Sequence, residues 1–201
     1  MLTASCISFT KDIQPWQIQI AVESFYNQSY KNKQLIIINN YDTIVECQQI
    51  EILFHYDIAI VDRPSFSNGK ALLQALQLCA GQTIVNFPLN YYHHCDRISK
   101  SIEYMNDSGA IAVAPEYKLI LAQNGSVTKS QNHTNIIADL AAYKSPAYTD
   151  DYEIDYGAWW QYLLRLYEQG VDITNIDNPM AIELPSINPN ISDYNNLIDR
   201  L

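Results

Sequence analysis

The amino-acid sequence predicts an α/β fold, with a mainly parallel sheet flanked by helices on both faces. Three observations carry this reading. Leu35-Ile36-Ile37-Ile38 is a short unbroken apolar run ended by Asn39-Asn40, the pattern of a strand covered on both sides. Strand-like and helix-like segments alternate through the first half, joined by short polar connectors. The 201 residues, 48% of them hydrophobic, suffice to bury a core as one domain.

In chain order, Ala4 to Phe9 is a short strand of small and β-favouring residues, followed by polar Thr10-Lys11-Asp12. Pro15 stands near the start of a helix running from about Gln14 to Tyr26, with Ile18, Ile20, Ala21, Ser24 and Phe25 on its apolar side. Gln28 to Lys33 is a polar break before the strand at Leu35. The unit is β-α-β, which places Thr10 and Asn39-Asn40 at the carboxyl ends of neighbouring parallel strands, where open α/β sheets bind ligands. Glu46 to Phe54 reads as a helix and Asp57 to Val61 as a third strand. Ala71 to Cys79 is a strongly apolar helix, with Gly81 expected at its C′ position. Thr83 to Phe87 is a fourth strand.

The second half is less regular. Asp96 to Met105 reads as a helix and Gly109 to Ala114 as a strand. Tyr117 to Ala122 and Ser126 to Thr128 form an antiparallel pair around the Asn124-Gly125 turn. Ile136 to Tyr143 is ambiguous between helix and strand. Tyr156 to Gln169 is a helix ended by Gly170, Val171 to Ile176 a short strand, and the tail after Pro179 mostly irregular.

A formal charge of −10 speaks against a nucleic-acid groove or an anionic membrane surface, since both call for a surplus of Lys and Arg. No apolar run approaches the roughly 20 residues of a membrane span, and no basic segment precedes the first apolar stretch. Cys6, Cys47, Cys79 and Cys95 are scattered without a C-x-x-C pair. The expectation is a cytoplasmic chain with reduced cysteines.

Four stretches together resemble the family 2 glycosyltransferases of GT-A fold. They are T-x-D at Thr10 to Asp12, A-V-E-S-F-Y-N-Q-S-Y-K-N-K-Q-L-I-I-I at Ala21 to Ile38, A-L-Q-L-C-A-G-Q-T-I at Ala75 to Ile84, and H-C-D-R-I at His94 to Ile98. The family's corresponding stretches run like S-x-x-N-Q-T-Y-x-N-x-E-L-I-I-V, then A-x-G-x-Y-I, then H-P-D-R-L. The resemblance implies one GT-A-like domain, with residues 1–98 as the nucleotide-binding half and 99–201 as the acceptor-side half. It also implies a nucleotide-sugar donor, a glycan or similar acceptor, a divalent cation (Mn²⁺ or Mg²⁺) and a place in polysaccharide biosynthesis.

The same resemblance locates the candidate site and its departures. Thr10, Lys11, Asn39, Asn40, Asp42 and Lys70 fall in the nucleotide-binding region; the family has P-T-Y-N and D-D-G-S where this chain has Phe9-Thr10-Lys11-Asp12 and Asn39-Asn40-Tyr41-Asp42. An amide can hydrogen-bond a uracil edge, and a lysine at a helix start can meet a phosphate or simply be solvated. The metal-binding D-x-D falls on Pro88-Leu89-Asn90, so neither carboxylate is kept and the metal ligands of the family are not retained. Asn90, His94 and Trp159 lie in the leaving-group and sugar region. His93-His94-Cys95 reads as a transition-metal site or as ordinary loop packing.

The family's late helix opens on an E-D pair whose aspartate is the general base, and ends R-L-x-x-x-G. Here the ending is Arg165 to Gly170, but the E-D positions hold Ala158-Trp159. Asp155, one helical turn earlier, is the substitute base; the other reading of Asp150, Asp151, Glu153 and Asp155 is a solvated acidic loop before a helix. Neighbours on a helix diverge by about 100°, so at most one of Trp159 and Trp160 stacks on a sugar while the other packs in the core, or both pack there. Three functions follow: a family 2-type inverting transferase, working with Asp155 as base on a poor metal site or with its activity impaired or lost; a non-catalytic subunit (a pseudoenzyme) that binds a nucleotide or glycan; and hydrolytic or unrelated small-molecule chemistry, for which the sequence offers no nucleophile, triad or Gly-rich phosphate loop. A protein partner or oligomer fits either of the first two.

Overall fold

The computed structural model describes residues 3–10, 13–39, 58–63, 68–131, 137–139, 173–176, 180–186, 194 and 198. Strand β1 (Ala4–Phe9) leads through helix α1 (Pro15–Tyr26) to β2 (Lys33–Asn39), and β3 is Ile58–Asp62. Helix α2 (Asn68–Leu78) precedes β4 (Thr83–Asn86) and β5 (Tyr91–His93), and helix α3 (Arg97–Ser108) precedes β6 (Ala112–Pro115). Then come β7 (Tyr117–Leu121), β8 (Val127–Gln131), β9 (Ile137–Asp139), β10 (Ile173–Ile176) and β11 (Ala181–Glu183).

The main sheet has the order β10-β6-β9-β4-β1-β2-β3 among the described residues. β1 pairs in parallel with both β2 and β4, β2 with β3, and β6 with β10, while β9 runs antiparallel between β4 and β6. The apolar run of β2 is unbroken because both of its faces are covered. Leu35 and Ile37 join Cys6, Val85 and the α1 residues Ile18, Ala21, Val22 and Phe25, together with Ile98 and Ile102 of α3. Ile36 and Ile38 point the other way, with Ile7 and Ile84, onto Ala71, Leu72 and Ala75 of α2. Each Val, Leu, Ile and Phe among them contributes roughly 1.5–3 kcal/mol by leaving water, and the alanines less. The mainly parallel sheet with helices on both faces is therefore what the sequence predicts.

A second sheet has the order β5-β11-β7-β8. It packs Leu119, Leu121, Ile182 and Leu184 against Trp16 and Ile20, the side of α1 turned away from the main sheet. Gln17, also on α1, donates through Nε2 to Leu184 O and Pro185 O, both at 3.1 Å. Tyr91 OH (3.0 Å) and Lys118 Nζ (2.5 Å) both donate to Glu183 Oε2, joining β5, β7 and β11.

Three expectations need correction. The tail after Pro179 is not irregular throughout: Ala181–Glu183 forms β11, a strand too short for a periodic signal, placed by pairing with β5 and β7. Gly81 is not a helix cap, since α2 ends at Leu78; a Cβ there would stand 2.2 Å from Thr3 O, so glycine serves close packing. Gly109 does not start a strand; it ends α3 in the left-handed conformation (φ 69°) that favours glycine. The ambiguous 136–143 segment is strand over Ile137–Asp139. The helices expected over 46–54 and 156–169 lie outside the described residues.

Candidate functional site at the strand carboxyl ends

Parallel pairing of β1, β2 and β3 brings their carboxyl ends into one row, and a chain of side-chain hydrogen bonds crosses it. Thr10 Oγ1 donates to Asn39 Oδ1 at 2.7 Å, and Asn39 Nδ2 donates to Asp62 Oδ1 at 2.9 Å. The carboxylate only accepts, so the Asn39 atom facing it is the nitrogen; the amide orientation follows from its neighbours. Thr10 and Asn39 are buried and Asp62 is exposed, so the chain runs from the sheet interior to the surface. Asn39 and Asp62 are register partners, and Arg63 N–H extends the ladder to Asn39 O at 2.8 Å.

Asp62 was not singled out by the sequence reading, although a carboxylate directly after the apolar run of a parallel strand is a usable signal. Lys70 lies exposed in the first turn of α2. Lys11, Asn40, Asp42, Asp155 and Trp159 lie outside the described residues.

The segment Pro88-Leu89-Asn90 follows β4. Leu89 is buried, Pro88 O accepts from Tyr91 N–H (3.3 Å) and from the His93 ring (3.0 Å), and Asn90 O accepts from Leu184 N–H (2.8 Å). A hard divalent cation takes anionic oxygens. These three residues offer one amide side chain, and two of their carbonyls are engaged, so they do not fit the cation that the family resemblance implies.

Beneath this segment lies a buried cationic lock. Arg97 is 2% exposed; Nη1 lies 2.8 Å from His93 Nδ1 and Nη2 donates to Asn86 O at 2.8 Å. Guanidinium only donates, so His93 Nδ1 accepts and the ring proton sits on Nε2, where it reaches Pro88 O. Burial and the Arg97 charge hold His93 well below the usual histidine range, so it is neutral. Burial also lowers Arg97 to about 10, still charged at neutral pH.

His94 is tied elsewhere: its N–H donates to Met180 O (2.9 Å), its carbonyl accepts from Gln28 Nε2 (2.6 Å) and its Nδ1 accepts from Asp96 N–H (3.2 Å). His94, Cys95 and Asp96 bring ligand-type atoms within 4.8 Å of one another. The engagement of Nδ1 by a backbone N–H favours loop packing over a transition-metal site.

The two stretches that carry the family resemblance most plainly meet through one side chain. Gln28 is fully buried; besides His94 O it donates to Ser24 O (3.1 Å), and its Oε1 accepts from Ile98 N–H at 3.2 Å. It thus caps the first turn of α3, for which Asp96 makes no side-chain cap. Ser29 N–H donates to Cys95 O at 2.8 Å. The N-Q-S-Y and H-C-D-R-I stretches are the two sides of a joint.

No protein-family model and no curated protein matches the sequence. Solved structures do match in three dimensions. S. aureus TarS 1-349 in complex with UDP aligns over 92% of this chain and 61% of its own, with a TM-score of 0.74 and 11% identity. The mannosyltransferase PcManGT from Pyrobaculum calidifontis, in complex with GDP-Man and Mn²⁺, aligns over 90% of this chain and 56% of its own, with a TM-score of 0.69 and 13% identity. The chain therefore has the GT-A glycosyltransferase fold in a divergent form, and spans about three fifths of the length of these structures. Among the described residues no helix is long and apolar enough to cross a membrane.

Proposed function

We propose that this chain is a glycosyltransferase-like protein of the family 2 type that holds a nucleotide-sugar at the carboxyl ends of β1, β2 and β3, with sugar transfer impaired or lost. The observation that carries the reading is the D-x-D register. It holds Pro88, buried Leu89 and Asn90 instead of carboxylates, with the Pro88 and Asn90 carbonyls already engaged. Departure of a nucleoside diphosphate needs its charge compensated, and no anionic metal ligand stands there to hold the cation. Thr10, Asn39 and Asp62 keep a polar row where such folds bind ligands. Asp155 is the base wherever transfer survives, with a glycan as acceptor in polysaccharide assembly.

A second reading, a non-catalytic subunit or nucleotide- or glycan-binding module, rests on Gln28. The residues kept from the family pattern join helices, whereas the missing ones are those that would do chemistry. A partner polypeptide or oligomer would then supply the activity. Calorimetric titration with UDP and GDP, each in EDTA and in Mn²⁺, tests both readings. The expected result is binding of one nucleotide that changes less than about threefold with Mn²⁺, a difference under ~1 kcal/mol. If neither nucleotide binds in any condition, the nucleotide-sugar reading is overturned. Strengthening by Mn²⁺ of tenfold or more overturns the claim of a lost metal site.

A further inference from the structure

We infer that Asn124 is a site of spontaneous covalent modification, converted to aspartate and isoaspartate by attack of the Gly125 backbone nitrogen on its side chain. The sequence holds two Asn-Gly pairs, Asn68-Gly69 and Asn124-Gly125. A glycine leaves the preceding side chain open to the next backbone nitrogen, and holding both groups in one chain replaces an encounter by a local rotation. The structure separates the two pairs. Asn68 and Gly69 begin helix α2, where the helical backbone commits the Asn68 carbonyl to the hydrogen-bond ladder. Asn124 and Gly125 are exposed at the tip of the hairpin between β7 and β8, and β8 is the end strand of the second sheet.

The tip is also built for the reaction. Gly125 has a φ of +83° and nothing within 4 Å of where a Cβ would stand, so the backbone can turn there without a clash. Asn124 Oδ1 accepts from Ser126 N–H at 3.0 Å and from Ser126 Oγ–H at 2.8 Å. A backbone N–H only donates, which fixes the amide oxygen on that side. Both donors thus face the oxygen that gains negative charge when Cγ is attacked, which lowers the barrier. One contact opposes the attack: Gly125 N–H donates to Ala122 O at 2.9 Å and must let go first. Ala122 N–H to Ser126 O, at 2.8 Å, keeps the turn closed meanwhile.

Hydroxide removes the Gly125 amide proton, and the nitrogen bonds to Asn124 Cγ. The side-chain nitrogen leaves as ammonia, taking a proton from water, and a cyclic imide remains. Water opens the imide at Cγ to give aspartate, or at the main-chain carbonyl carbon to give isoaspartate, whose backbone runs through Cβ and Cγ. Either product adds a negative charge to a chain already at −10. Isoaspartate also lengthens the turn.

Timed incubation of the full chain in mildly alkaline buffer, folded and in saturating urea, tests the assignment. Proteolysis and mass spectrometry read both sites, because exchange of NH2 for OH changes the mass of each peptide. In urea the two pairs are expected to react within about threefold of each other, since neither keeps its local structure. In the folded chain Asn124 is expected to convert at least ~fivefold faster than Asn68, the effect of one hydrogen bond on a barrier. Ser126→Ala should slow Asn124 by roughly threefold or more and leave Asn68 unchanged, which shows that the fold is kept. An Asn68 rate equal to or above that of Asn124 in the folded chain overturns the assignment. So does an Asn124 that survives folding conditions while the urea sample is fully converted. An unaltered Asn124 rate in Ser126→Ala overturns the activation by Ser126.

Discussion

Replacing Gln28 by alanine removes the side chain that fastens the end of α1 to the start of α3. Three hydrogen bonds of good length disappear, to Ser24 O, to His94 O and from Ile98 N–H. At about 1 kcal/mol each, and with a buried N–H left without its partner, the loss is roughly 3–4 kcal/mol. For a chain of this size that lowers the thermal midpoint by roughly 6–15 °C. Glutamate separates the polarity of the site from its volume. Its carboxylate keeps the bond from Ile98 but faces two carbonyls with no hydrogen to offer, so burial and those carbonyls raise its folded pKa above the unfolded ~4.3. The penalty is then absent below the unfolded value and grows as pH rises, by up to ~1.4 kcal/mol per unit, until the folded pKa is passed. Chemical denaturation of the natural protein and Gln28→Glu at pH 4 and pH 7 should show a deficit at least ~2 kcal/mol larger at pH 7. A deficit independent of pH, or an alanine variant within ~1 kcal/mol of the natural protein, would refute the joint.

Four further outcomes follow from the fold. Gly81→Ala should cost ~2 kcal/mol or more, because its Cβ would meet Thr3 O at 2.2 Å. Gly125→Ala, which has open space but a φ of +83°, should cost only about 1 kcal/mol, as urea denaturation of both variants would show. Burial pushes the Cys6 thiol from its ordinary 9.0 up to about 12, so its contribution is fully present below pH 9 and is lost as pH rises through 12. The natural protein should therefore lose up to ~1.4 kcal/mol per pH unit across that window, and Cys6→Ala should lose correspondingly less. His93 should stay neutral at pH 5 with its proton on Nε2, as nitrogen NMR of the ring reports; an imidazolium at pH 5 would contradict the Arg97 lock.

The parallel core was legible in the sequence because it follows from continuous apolar runs. Leu35 to Ile38 had to be covered on both faces, and α1 with α3 on one side and α2 on the other do so. Strands β5 and β11 were not legible, since three residues give no period; their existence depends on finding each other, with Tyr91 opposite Glu183. Asp62 became visible as a partner of Asn39 only once β2 and β3 were in register. Gln28 carried family resemblance in the sequence, but its role as a cap depends on where Ile98 comes to lie. The sequence pointed to the departures at Pro88-Leu89-Asn90; the structure adds that Leu89 is buried and that the Pro88 carbonyl is held by a neutral histidine.

Hydrogen exchange with and without saturating UDP or GDP tests most directly whether the row at the strand ends is the ligand site. Peptides covering Thr10, Asn39 and Asp62 should exchange more slowly with the bound nucleotide, in EDTA as in Mn²⁺. Protection that leaves all three unchanged and falls elsewhere, or that appears at Pro88 to Asn90 only when Mn²⁺ is added, would contradict it.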